Sequence, residues 1–108
     1  MVFLGAEDFY EKANACKVMN RQEEIACARR MQDGDAEARE ELIRNYLPMV
    51  AGHIRHLPEH MQTFGLILCC QQALEKAVDR FDFLQESETF AHRLSWWLRQ
   101  TVTSYIVR

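Results

Sequence analysis

A chain of 108 residues, 48% hydrophobic and 27% charged, is one domain in length and can bury a core without disulfides or a structural metal. Four Gly and two Pro leave little turn material, which argues against a many-stranded sandwich or barrel. The longest nearly unbroken apolar run, residues 64–70, is too short to cross a membrane, and Met1-Val2-Phe3-Leu4 follows no basic stretch, so a soluble, cytoplasmic chain with no membrane partner is expected.

Apolar spacing predicts helices throughout. A first short helix covers 8–19, with Phe9, Ala13 and Cys16 along one side. Asn20-Arg21-Gln22-Glu23 has the form of a capping box, and the helix it opens should end at Asp33-Gly34, where glycine suits the left-handed position past a helix end. Asp35 then caps a third helix whose stripe is Leu42, Ile43 and Tyr46. Pro48 removes a backbone bond from a helix interior, so residues 45–48 are expected to kink or restart it. The stripe resumes with Val50, Ile54 and Leu57 and stops at Pro58, and a connection covers 57–64. A further helix over 65–82 buries Leu66, Ile67, Cys70, Leu74, Ala77, Val78 and Phe81. An acidic turn over 83–87 leads to a last helix capped by Ser87 or Thr89. With no repeat, low-complexity tract or linker, the expected fold is all-α: one compact helical bundle over 1–108, in which 1–25 is an N-terminal helical extension.

Chemistry-bearing clusters are few. Cys16, Cys27, Cys69 and Cys70 fit no paired metal-site spacing and read as free, buried thiols. His53, His56 and His60 recur at helical spacing, but Pro58 interrupts them and no Cys or carboxylate is placed to complete a tetrahedron. No glycine-rich phosphate loop, nucleophile elbow or zinc-protease motif occurs. Neither enzyme activity nor a metal or cofactor is expected.

The last helix is the informative one. Phe90, Leu94, Trp97, Leu98, Thr101, Val102 and Tyr105 share one broad core-facing side, and His92, Trp96, Arg99, Gln100 and Thr103 share the other. Residues 91–108 hold Arg93, Arg99 and Arg108 and no acid, so a basic helix ends an otherwise acidic body, a division that suggests two surfaces for two partners. A Trp96 exposed among cationic and amide groups offers a ring for stacking, charge for phosphates and hydrogen bonds for base edges. The same ring equally suits a protein interface, where Trp and Arg are common anchors. The residues alone leave both readings open.

Ala77-Val78-Asp79-Arg80-Phe81-Asp82, then Thr89-Phe90, then Trp96-Trp97-Leu98-Arg99-Gln100 resembles region two of the sigma-70 family of bacterial transcription initiation factors. Upstream, residues 34–43 followed by Asn45-Tyr46-Leu47-Pro48-Met49-Val50 look like the start of the same region, so the resemblance covers 26–108. It implies an all-helical domain with two working surfaces. The segment 65–81 would dock on the coiled coil of the RNA polymerase largest subunit, through Leu66, Ile67, Gln71, Lys76 and Asp79. The segment 89–108 would bind the promoter -10 element and capture unpaired bases of the non-template strand. Phe90, Trp96, Trp97, Gln100 and Thr103 match the DNA-contacting positions, and Arg93 and Arg99 are expected to neutralise phosphates beside them.

Two departures from the family pattern bear on function. Where the family's docking helix opens Asp-Leu-Ile-Gln-Glu-Gly-Asn, this chain has Gly65-Leu66-Ile67-Leu68-Cys69-Cys70-Gln71, and where the family carries a stacking tyrosine it has Arg93. The helix-turn-helix for the -35 element is expected on a second chain or a longer parent. The implied function is a transcription initiation factor domain that binds RNA polymerase and recognises and melts the -10 element through its last helix. The alternative is a sigma-like helical protein-interaction module that regulates transcription without direct promoter recognition.

Overall fold

The computed structural model describes residues 2–107. They form helices α1 (Ala6–Ala15), α2 (Arg21–Gln32), α3 (Ala36–Arg55), α4 (Phe64–Arg80) and α5 (Phe90–Ile106), with a 3-10 turn at Glu59–Met61. No strand occurs among the described residues, so the fold is all-α as the apolar spacing predicts. Short polar side chains set the helix starts. The Glu23 amide donates to Asn20 Oδ1 at 2.8 Å while the Asn20 amide donates to Glu23 Oε1 at 3.1 Å, the reciprocal pair of a capping box. Asp35 Oδ1 accepts from the amides of Glu37 and Ala38. The hydroxyls of Thr63 and Thr89 accept from Leu66 and His92 at 3.2 Å, so Thr89 rather than Ser87 opens α5. Gly34 has φ +93°, the left-handed turn that separates α2 from α3.

The helices α1, α3 and α4 differ from the sequence reading. α1 stops at Ala15, and the Met19 amide beyond it donates to the buried Asn45 Oδ1 at 2.6 Å, a tertiary bond that a longer helix would forgo. Pro48 does not divide α3, which runs unbroken for 20 residues. Burial of Leu42, Ile43, Leu47, Val50, Ala51 and Ile54 along one stripe outweighs the backbone bond that Pro48 forfeits. α4 begins one residue early because Thr63 supplies the cap, and it ends at Arg80, beyond which Phe81 turns extended.

α3 is the central element. α1 and α2 pack on it, α4 packs on it from another side, and α5 lies mainly against α4. Leu42, Ile54, Leu74, Val78, Leu94 and Leu98 are fully buried, and Phe3, Phe9 and Ala13 belong to the same buried cluster, so residues from the first 25 are packed onto the body. Tyr46 is half-buried. Its ring meets Phe90 edge-on at 4.6 Å and its hydroxyl donates to Glu24 Oε2, which is itself buried. Burial above all, and then Glu24, pushes that phenol far above its ordinary pKa, so it stays a donor. Phe83 stacks on Phe90 at 4.8 Å, and Phe81 meets both rings edge-on at 5.2 Å. These rings anchor the turn between α4 and α5 and thereby fix the direction in which α5 leaves it.

Candidate functional site

The outer face of α5 carries exposed polar side chains. Trp96 is 46% exposed, flanked by exposed His92, Arg99, Gln100 and Thr103. At that exposure the Trp96 ring is open to contact from outside the chain. Trp97, one residue on, is half-buried and packs against the core. The Arg93 guanidinium lies 5.8 Å from the Trp97 ring centroid and donates from Nη2 to Glu88 Oε2 at 2.9 Å. The Thr103 hydroxyl donates to the Arg99 carbonyl at 2.9 Å, which leaves its lone pairs free to accept. Arg99 also extends its charge toward α3. The His53 imidazole there is held below its ordinary pKa, first by burial and then by the Arg99 and His56 charges.

Between α4 and α5 lies a cleft of about 300 Å³ whose walls include Lys76 and Arg80 from α4 and Trp97, Gln100 and Ser104 from α5. No Asp or Glu lines it. Lys76 and Arg80 stand one helical turn apart on the same side of α4, so their charges add at the cleft mouth. Arg80 and Ser104 escape the sequence reading. The four-residue spacing of Lys76 and Arg80 is visible in the chain, but only the packing of α4 on α5 shows that both face Trp97.

Of the seven residues expected to contact DNA, Arg93, Trp96, Trp97, Arg99, Gln100 and Thr103 share one exposed to half-exposed surface. Phe90 does not. It is 1% exposed and packed among Phe81, Phe83 and Tyr46, so the expected direct contact is corrected to a role in anchoring the helix. Arg108 lies outside the described residues.

The five residues expected to meet the polymerase are not gathered into one face. Leu66 and Ile67 are fully buried, because their register on α4 points them at α3 and the core, and they are corrected from contact to core positions. Gln71 is buried too, with its amide donating to Glu75 Oε1 at 3.4 Å. Asp79 is exposed but gripped by Arg39, whose Nε and Nη2 donate to its two oxygens at 2.6 and 3.0 Å and hold the carboxyl below its ordinary pKa. Lys76 faces the α4–α5 cleft. Leu68 on α4 is 39% exposed, and exposed Gln72 one turn on lines the α4–α5 cleft with Lys76.

Cys27 and Cys70 are buried free thiols, pushed up by burial first, to about 11 and about 12 respectively. Cys16 and Cys69 are half-exposed. Among the described residues no cluster of His, Cys, Asp or Glu is set to hold a metal ion, and no helix is long and apolar enough to cross a membrane.

No protein-family model matches the chain. Individual relatives do. The RNA polymerase sigma factor SigA of Listeria monocytogenes is 34% identical over 90 residues, which are 82% of this chain and 24% of that protein. The SigA of Listeria innocua matches to the same degree, and that of Clostridium acetobutylicum is 33% identical over the same shares. The chain therefore spans 24% of the length of the curated relatives it matches. Along most of its length the chain is thus similar to a part of these RNA polymerase sigma factors.

Proposed function

We propose that the chain acts as a transcription initiation factor domain that binds RNA polymerase and takes the single-stranded -10 region of promoter DNA across α5 and the α4–α5 cleft. The observation that carries this reading is the grouping of two tryptophans, one open and one half-open, with Arg99, Gln100 and the acid-free wall of Lys76 and Arg80. Rings stack on unpaired bases, guanidinium and ammonium groups neutralise phosphates, and Gln100 with Thr103 meets base edges. The relationship to SigA supports transcription initiation as the setting. Docking on the polymerase coiled coil falls to the exposed side of α4 around Leu68, where the family pattern has a glutamine and this chain an apolar side chain.

Fluorescence anisotropy with forked and fully duplex -10 oligonucleotides, with and without core polymerase, tests the reading. Tighter binding to the fork than to the duplex is expected, because stacking needs an unpaired base. Equal binding to both, or none in the presence of polymerase, transfers the assignment to a sigma-like protein-interaction module.

A further inference from the structure

We propose that Glu88 is a positioning residue of this nucleic-acid site: its carboxylate holds the Arg93 guanidinium over the Trp97 ring and yields it to a phosphate when a strand arrives. The inference rests on the DNA-binding reading above and concerns how that surface is kept before DNA binds. Arg93 Nη2 donates to Glu88 Oε2 at 2.9 Å, and the guanidinium sits 5.8 Å from the Trp97 centroid. Among the described residues, Lys76, Arg80 and Arg99 make no ion pair, so Arg93 is the one cation of this surface that carries a carboxylate of its own.

The carboxylate is not carried on a free loop. The Glu88 amide donates to Gln85 Oε1 at 3.0 Å, the Ser87 hydroxyl donates to the same oxygen at 2.6 Å, and Gln85 Nε2 donates back to the Glu88 carbonyl. Upstream, buried Phe83 stacks on Phe90 and ties the turn to the first residue of α5. The turn thus presents a fixed anion beside a cation that the DNA also needs. A carboxylate and a phosphate are alike to a guanidinium, since both accept its paired N–H donors. Their exchange is nearly balanced, and a strand recovers the loss by stacking on the Trp97 face that the departing guanidinium uncovers. Both side chains are partly solvated, 41% exposed for Arg93 and 26% for Glu88, so the hold is modest, worth at most about fivefold in affinity.

The test compares Glu88→Gln with Glu86→Gln, which removes the same charge from an exposed position on the same turn without touching Arg93. Anisotropy with a forked oligonucleotide should show Glu88→Gln binding about two- to fivefold tighter than Glu86→Gln, and adding Arg93→Gln should abolish that gain. NMR of the Arg93 Nε–H resonance without DNA should show it shift and exchange faster in Glu88→Gln and stay in place in Glu86→Gln. Equal affinities of the two single variants, or an Arg93 resonance indifferent to Glu88→Gln, overturn the proposal while fork binding by the native chain leaves the DNA reading standing. If Arg93 responds to Glu88 but no form binds the fork even with polymerase, the DNA reading falls, and the exchange for phosphate falls with it.

Discussion

Trp96 separates the two functional readings at a single side chain. It is the large ring that α5 holds in water, so its removal costs the fold little and any stacking partner a great deal. Base–aromatic stacking contributes about 1–3 kcal/mol, so Trp96→Ala should weaken binding to forked DNA by about five- to a hundred-and-fifty-fold, with an unchanged thermal midpoint. Arg99→Ala should instead weaken every sequence alike and flatten the salt dependence by about one unit of slope. Anisotropy at two salt concentrations distinguishes the two variants. The thiols offer an independent check on burial. Cys69 lies on the rim of the α4–α5 cleft, whereas burial pushes Cys70 beside it up to about 12 and Cys27 up to about 11. Iodoacetamide at about pH 8 should therefore label Cys69 long before Cys27 or Cys70 in the native protein, and peptide mass mapping reads the order.

Where α4 meets α5, the last turn of one and the first turn of the other share a hydrogen bond. Tyr105 Oη and Thr63 Oγ1 are 3.1 Å apart, and a Cβ built on Gly65 would come within 2.7 Å of that same phenol oxygen. Helix propensity alone would make Gly65→Ala stabilising by about 0.5–1 kcal/mol. Here the gain should vanish, because Tyr105 must swing away from Thr63 to admit the methyl group, and it should return in a Tyr105→Phe background. Urea midpoints of the four proteins in that cycle measure it; a full gain in the single variant would mean that Tyr105 moves at no cost. The contact also gives a physical reason for glycine at a position where the sigma-70 pattern has an acid. The cap of α5 is a simpler case. Thr89→Ala removes the acceptor for the His92 amide and should cost about 1 kcal/mol, with Thr89→Ser largely restoring it.

Across the whole molecule, the buried cluster predicts one cooperative unit rather than a body with a loose N-terminal arm. Leu74 on α4 and Phe9 on α1 are both fully buried in that cluster, though 65 positions separate them in the chain. Leu74→Ala should cost about 2–5 kcal/mol and Phe9→Ala about 3–5 kcal/mol. Each variant should still unfold in a single transition seen alike by far-ultraviolet circular dichroism and by tryptophan fluorescence, although both tryptophans are on α5. A separate early phase in Phe9→Ala that leaves the fluorescence unchanged would instead make α1 an independent extension. The closure of the core around α3 also explains why α5 is held firmly enough to present Trp96 outward: its inner residues Phe90, Leu94, Leu98 and Val102 are all buried.

Local rules in the sequence account for the helices and for which side of α5 faces water. Asn20 with Glu23, Asp35, Thr89 and Gly34 act within a few residues of themselves, so their roles can be read without knowing what packs against them. The same holds for the division of Trp96 from Trp97, since helical periodicity alone rotates adjacent residues apart. Tertiary structure decided the rest. Pro48 reads as a kink or restart because its local cost is legible, and the helix does not restart there because burial of the α3 stripe, which is not legible, offsets that cost. Leu66, Ile67 and Phe90 matched family contact positions, yet packing on α3 and among Phe81, Phe83 and Tyr46 puts their side chains inside. The cleft that joins Lys76 and Arg80 to Trp97, and the pairing of Arg93 with Glu88, exist only because α4, the aromatic turn and α5 fold back on one another. Periodicity records which way a side chain points from its own helix; what it meets there is set by elements distant in the chain, and no local pattern encodes that meeting.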